Sequence, residues 1–244
     1  MPTYRLDLAY DGTGFRGLAR QPGLRTVQGE VEAALARSLK VAVTTVAAGR
    51  TDAGVHARQQ VLSFHLENEA DRIRLLKSLA GQLHAEIVPY ALEQVDDSFD
   101  ARHSALSRSY RYQILNEPFA DPLRRHTAWH VPEPLDIEAM NLATKTLIGQ
   151  HDFAAFCRAN SAGGTSRRVL EAGWSKDDLA SLLIKANAFC HQMIRSIVGL
   201  CVEIGQNRRP PEFMVEVLAG RDRSRAGQMA PAHGLILWEV AYET

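Results

Sequence analysis

Residues 49–56 read Gly-Arg-Thr-Asp-Ala-Gly-Val-His. One carboxylate, Asp52, follows a cation, Arg50, by two positions, and Gly49, Ala53 and Gly54 around it favour a turn. An apolar, β-branched run over 41–48 leads in. This layout suits a catalytic acid on a tight loop between two strands, where a bulky substrate can reach it. An Asp in such a loop also serves as a simple turn cap, so the octet alone leaves both readings open.

Two further groups carry chemistry. In Ser107-Arg108-Ser109-Tyr110-Arg111-Tyr112, strand alternation puts Arg108, Tyr110 and Tyr112 on one face and Arg111 on the other. Aromatic rings interleaved with cations suit a base to be stacked and a backbone to be held. Two core tyrosines with snorkelling arginines fit the same pattern. In 185–195, His191 and Arg195 lie four apart and share a helix face. Ile194, Ile197, Val198, Cys201 and Val202 make that helix deeply buried, and a charge near its start wants an ionised partner, for which Asp52 is a natural choice.

Other motifs say less. Gly12-Thr13-Gly14-Phe15-Arg16-Gly17 matches a dinucleotide pattern, with Glu30 and Glu32 at a suitable distance. Its mechanism needs the glycines to open a helix, yet Pro22 and Gly23 intervene and the helix starts near Thr26. The expectation is a flexible loop offering Arg16 and Arg20 to phosphates. His126 and His130 are four apart but lack a third ligand nearby, so no metal is expected. No nucleophile-elbow pattern supports a serine triad.

These groups need elements to position them. Tyr4, Leu6, Leu8 and Tyr10 alternate with Arg5, Asp7 and Ala9, which predicts a strand with one buried face. Thr26 caps a helix bearing Val31, Ala34, Leu35 and Leu39. Strands follow over 41–48 and 59–66, then a helix over 71–83 with Ile73, Leu76, Leu79 and Leu83 inward, then a strand over 87–95. The second half offers a strand at 108–115, a helix capped by Asp136 and stopped by Gly149, and a strand pair at 169–176 and 179–186. A buried helix over 191–204, a helix opened by Pro210 and Pro211, and a last strand over 234–242 complete it. The similar order in both halves suggests two related α+β lobes, 1–104 carrying the Asp loop and 105–244 carrying the tyrosine and the buried arginine.

The 244 residues are 45% hydrophobic, which fits a globular protein with a sizeable core rather than a disordered chain. No stretch approaches the roughly 20 apolar residues of a membrane span, and the N-terminus lacks a signal-like apolar core. A cytoplasmic protein is expected. Cys157, Cys190 and Cys201 are odd in number and form no Cys-x-x-Cys, which argues against a disulfide framework. Net charge is zero, but the signs are segregated: basic residues dominate 1–60 and 101–126, acidic ones 66–100. Arg158, Arg167, Arg168, Arg208 and Arg209 add further basic knots. Such a chain can present one basic face to a phosphate backbone.

At this point the residues match a family. The chain resembles the tRNA pseudouridine synthases of the A type over nearly all its length. The match includes Tyr10-Asp11-Gly12-Thr13, the octet, Phe99-Asp100-Ala101-Arg102, 108–112, His151-Asp152-Phe153, 185–195 and Ala230-Pro231-Ala232-His233-Gly234-Leu235. The resemblance implies two ferredoxin-like (RRM-like) lobes sharing a continuous, mostly antiparallel sheet with a central active-site cleft. It implies isomerisation of uridine to pseudouridine in the anticodon stem-loop of tRNA, at tRNA positions 38, 39 and 40, by a homodimer with no cofactor and no metal. By motif position Asp52 is the catalytic aspartate, Tyr110 the ring stacked on the base, and Arg195 the cation paired with the aspartate. Arg50 corresponds to the arginine that helps hold the flipped nucleotide out, and Leu235 to an apolar contact. Arg16, Arg20, Arg58 and Arg108 are the expected RNA contacts. Two segments depart from the family pattern, Leu18-Ala19 and 82–87, and both bear on loop packing and RNA grip. A non-catalytic RNA-binding module and a nucleotide-dependent enzyme using the glycine loop are the competing readings.

Overall fold

A computed structural model describes residues 1–158 and 164–243. Among them the fold is mixed α+β, with ten strands, mostly antiparallel, and five α-helices. The chain forms two compact units, Met1–Arg108 with Ile236–Thr244, and Ser109–Leu235.

The first unit is built on β1 (Thr3–Tyr10). Its alternation sends Tyr4, Leu6, Leu8 and Tyr10 into the core. β1 pairs antiparallel with β3 (His56–His65) on one side and β4 (Ile87–Val95) on the other. Helix α1 (Val27–Leu39) starts where Thr26 Oγ1 accepts the Gly29 N–H, and it buries Val27, Val31, Ala34 and Leu35. Helix α2 (Arg72–Gln82) is capped by Asp71. Leu79 and Leu83 face inward as expected, but Leu75 joins them in place of Ile73, which is 71% exposed, and Leu76 is half-buried. Leu75, Leu79 and Leu83 form an i, i+4 seam, and Ile73 falls off its axis.

The strand expected over 41–48 shrinks to β2 (Val46–Ala47), which pairs with β3. The reason lies in Glu32, buried on α1, whose Oε1 accepts both the Thr45 N–H at 2.9 Å and its hydroxyl at 3.1 Å. Once a carboxylate takes the Thr45 amide, the segment contributes little to a strand ladder.

The second unit runs β5 (Ser107–Leu115), β6 (Trp129–His130), α3 (Ile137–Lys145), β7 (Gly149–Asp152), β8 (Ser166–Lys176), β9 (Ala180–Ala186), α4 (Met193–Gly205) and α5 (Phe213–Gly220). Its sheet order is β5-β9-β8-β7, with β6 alongside β5. β6 and β7 have no counterpart in the periodicity, being too short to show one. The last strand, β10 (Leu235–Ala241), returns to the first unit and pairs in parallel with β3 through Ile236–His56 and Leu237–Ala57. The division expected at 104/105 therefore moves into β5, and β10 changes sides. A disulfide joins Cys157 to Cys190, Cα–Cα 5.7 Å, contrary to the expectation from cysteine number. Spacing could not show it: an Arg158 N–H to His191 carbonyl bond of 2.9 Å brings the two segments together. Cys201 is a buried free thiol, pushed up to about 12 by burial.

The loop after β1 is anchored, not flexible. Phe15 and Leu18 are buried, and the Leu18 N–H bonds the Thr51 carbonyl at 3.1 Å. Gly12 permits a close approach: a Cβ there would stand 2.0 Å from the Val55 carbonyl oxygen. Gly17 has φ +94° and lies against the backbone of residues 51–53. The departure at 82–87 bears on this loop, because Glu86 accepts the Asp11 N–H through its carbonyl and pairs with Arg25 at 2.7 Å. Gly12→Ala is expected to cost about 3 kcal/mol or more, since backbone must shift to admit it. Gly23→Ala, with φ +72° but open space around it, is expected to cost about 1 kcal/mol. Thermal unfolding of both variants checks the contrast.

Candidate active site

The octet forms the turn between the end of the 41–48 segment and β3. Its backbone is held group by group. The Ala48 N–H bonds the Val61 carbonyl at 2.9 Å. The Ala48 carbonyl accepts from Arg108 Nη2 at 2.8 Å and Nε at 3.2 Å. The Gly49 carbonyl accepts from Gln60 Nε2 at 2.9 Å. The Thr51 carbonyl accepts from Leu18, and the Asp52 carbonyl from the Val55 N–H at 3.2 Å. Thr51 Oγ1 and Tyr10 Oη are 2.7 Å apart. Burial pushes the Tyr10 phenol up to about 12, so it stays neutral at working pH and hydrogen-bonds as a phenol. At the far end, buried His56 places Nδ1 3.0 Å from both the Gly12 amide nitrogen and an Asp11 carboxylate oxygen.

Against this fixed backbone, Asp52 is half-buried and Arg50 exposed. The turn therefore presents one carboxylate and one guanidinium from a frame that cannot slide. The sequence did not expose Tyr10, Gln60 or His56 as parts of this frame. The signal for Gln60 was present: an amide standing beside the apolar run Val61-Leu62, at a position that proves fully buried.

The expected RNA contacts separate into two kinds. Arg16 and Arg58 are exposed, and Arg58 lies over the Trp238 ring at 4.5 Å from its centroid. Arg20 is exposed as well, though Nη1 lies 3.3 Å from Glu32. Arg108 differs. It is only 8% exposed, and its Nε and Nη2 donate to the Ala48 carbonyl. Arg167 is similarly buried at 8% exposure, its Nη1 and Nη2 bonding the Ser166 and Gly164 carbonyls.

The second unit holds the other expected residues. Tyr110 on β5 is buried and meets Phe189 edge-on, centroids 5.1 Å apart. Arg195, half-buried on α4, donates from Nε to the Ala230 carbonyl at 2.8 Å, and the Ala230 N–H returns to the Arg195 carbonyl at 3.0 Å. This exchange ties α4 to the segment that leads to Leu235, which is buried. Tyr112 donates to the Pro231 carbonyl at 2.8 Å in the same segment. Gly234 lies against the Tyr112 ring, where a Cβ would come within 2.7 Å. The motif His151-Asp152-Phe153 has a local role: Asp152 accepts from Thr165 Oγ1 at 2.5 Å and from the Ala154 N–H at 3.1 Å, which hold its carboxyl below the usual range. His130 Nε2 lies 2.9 Å from the Glu117 carbonyl oxygen. Among the described residues no group of three or more His, Cys, Asp or Glu is placed to hold a metal, and no helix is long and apolar enough to cross a membrane.

Comparison with known proteins bears on the same residues. A family model for tRNA pseudouridine synthase matches residues 143–243. A tRNA pseudouridine synthase A of Frankia casuarinae is 45% identical, over 98% of this chain and 88% of that protein. One of Brevibacillus brevis is 43% identical over 99% of this chain and 100% of that protein. One of Shouchella clausii is 44% identical over 96% and 91% respectively. With relatives of this identity over nearly its whole length, the chain belongs to the tRNA pseudouridine synthase family.

Proposed function

We propose that this chain isomerises uridine to pseudouridine in the anticodon stem-loop of tRNA, at tRNA positions 38, 39 and 40, with Asp52 as its catalytic carboxylate. The observation that carries this is the near-full-length identity to named tRNA pseudouridine synthases. The octet supports it chemically, with one half-buried acid on a turn whose Gly49, Thr51 and Asp52 carbonyls are engaged.

The reaction breaks the bond between the ribose C1′ and uracil N1, turns the base, and forms a C1′–C5 bond, after which C5 loses its proton and N1 gains one. No electron changes hands and no water is consumed, so the chemistry demands no redox cofactor. Asp52 serves it either by attacking C1′ or by removing the neighbouring sugar proton. Tyr110 stacks on the base and keeps the freed uracil captive, Leu235 gives an apolar contact, and Arg195 is the counter-charge of Asp52. The target uridine must first leave its stack, which costs a few kcal/mol. Arg50 holds the flipped nucleotide out, and Arg16, Arg20 and Arg58 grip phosphates.

The same reading makes each unit a ferredoxin-like lobe. In the first unit the order β1-α1-β2-β3-α2-β4, with β4 and β3 flanking β1 and β2 beside β3, supports this. In the second, with the short strands β6 and β7 set aside, β5-α3-β8-β9-α4 follows the order of β1-α1-β2-β3-α2. The working form is a homodimer in the cytoplasm.

On an unmodified tRNA transcript, the wild-type chain is expected to convert anticodon-arm uridines, with full activity in EDTA. Asp52→Asn is expected to fold and bind tRNA while its rate falls on the order of 10³-fold or more. Product mapping and tRNA titration check this, and substantial product from Asp52→Asn removes Asp52 from its role. Arg16→Ala and Arg58→Ala are each expected to reduce the slope of log K against log salt by about 0.7–0.9. A wild-type affinity insensitive to salt would show that these arginines do not face phosphates.

A further inference from the structure

The sequence places Arg108 beside Tyr110 on a strand of alternating cations and rings, where it looks like a partner for RNA. Its surroundings give it another task. The guanidinium is buried, and each of its nitrogens donates to a backbone carbonyl: Nε and Nη2 to Ala48, Nη1 to Ala105 at 3.1 Å, and Nη2 also to Arg102 at 2.5 Å. Ala105 and Arg102 belong to a compact turn. Asp100 closes it by accepting the Arg102 N–H at 2.8 Å and the His103 N–H at 2.7 Å. Two further bonds pin this turn: the Ala101 N–H to Ser63 Oγ on β3 at 3.0 Å, and Tyr242 Oη to the Ala101 carbonyl at 2.7 Å. One face of Arg108 is thus fixed to a rigid turn, and the other grips the last carbonyl before the octet.

We infer that Arg108 is a positioning residue for the isomerisation: it holds the Ala48 carbonyl and so sets where the Gly49–Asp52 turn leaves the sheet, without touching the RNA. This rests on the assignment of Asp52 as the catalytic carboxylate. The planar fork is what the position requires. A guanidinium presents five N–H donors in fixed directions and can hold three carbonyls at once. Lysine keeps the charge but concentrates its donors on one nitrogen. Gln60, which donates to the next carbonyl at Gly49, fixes the adjacent peptide, so the pair determines two consecutive peptide planes. A small drift there is carried to the Asp52 carboxylate, and a displacement near 1 Å costs about 10²-fold in rate.

Arg108→Lys and Arg108→Gln distinguish a brace from a phosphate contact. For a brace, both variants lose about 10²-fold in the single-turnover rate at saturating enzyme. Their tRNA affinity stays within about 3-fold, and their salt slope stays at the wild-type value, since no counterion release is lost. For a phosphate contact, Arg108→Lys keeps its rate and slope, while Arg108→Gln drops the slope by about 0.7–0.9. That result overturns the inference, as does a rate within about 3-fold of wild type in both variants. Wild-type protein gives a test that no folding defect can blur. Phenylglyoxal labelling read by mass spectrometry should leave Arg108 unmodified with or without tRNA, while exposed Arg50 and Arg16 react and tRNA shields them. Ready labelling of Arg108 in the free protein, lost on adding tRNA, would overturn the inference independently. A wild-type chain that forms no pseudouridine sinks the functional reading instead; an active wild type with an equally active Arg108→Lys sinks this one alone.

Discussion

Four peptide carbonyls of one turn, those of Ala48, Gly49, Thr51 and Asp52, dominate the first unit. Residues 48–52 turn sharply with Ala48 and Thr51 buried and Gly49 and Asp52 half-buried, and the turn satisfies only part of its own backbone. Each carbonyl left without a donor would cost roughly 1–3 kcal/mol. Three donors come from outside the turn and one from within it: Arg108 for Ala48, Gln60 for Gly49, Leu18 for Thr51 and, inside the turn, Val55 for Asp52. The same requirement explains the glycine loop. For Leu18 to reach Thr51, the chain must pass so close that Gly12 and Gly17 admit no side chain. Donors to these carbonyls therefore hold the backbone that carries Asp52.

Charge in this molecule divides by burial. Arg108 and Arg167 are enclosed and serve carbonyls, while Arg16, Arg50 and Arg58 face solvent. Others are engaged at the surface, such as Arg25 with Glu86 and Arg221 with Asp152. A formal net charge of zero is compatible with binding a polyanion because the arginines are not equivalent. Guanidinium groups suit both duties: their flat, weakly hydrated forks match rows of carbonyls inside and phosphates outside. Residue type therefore says little about which duty a given arginine has.

Much of the fold was legible in the chain. The alternation over β1, the caps at Thr26, Asp71 and Asp136, and the buried stripe of α4 all appear at or near their expected places. Local physics dominates there: one face buries and one side chain closes a helix end. The failures share a cause as well. The run 41–48 loses its strand to a glutamate on another element, and α2 turns Ile73 outward because its neighbours chose the Leu75–Leu79 seam. The Cys157–Cys190 bridge joins residues separated by 33 positions. Each depends on contacts between residues distant in sequence.

The sequence by itself determined that an acid stands in a tight turn after an arginine, that a ring and a second arginine sit on a strand and a buried helix, and which family pattern these match. Those are matters of residue type and spacing, written directly in the chain. Only the tertiary structure decided that the glycine loop is a packed support, that Tyr10 and Gln60 belong to the same frame, and that Arg108 faces inward. Whether a carbonyl needs a donor depends on how far water is excluded from it. Which donor answers depends on which side chain the fold brings within about 3 Å, and neither is encoded in the spacing of residues along the chain.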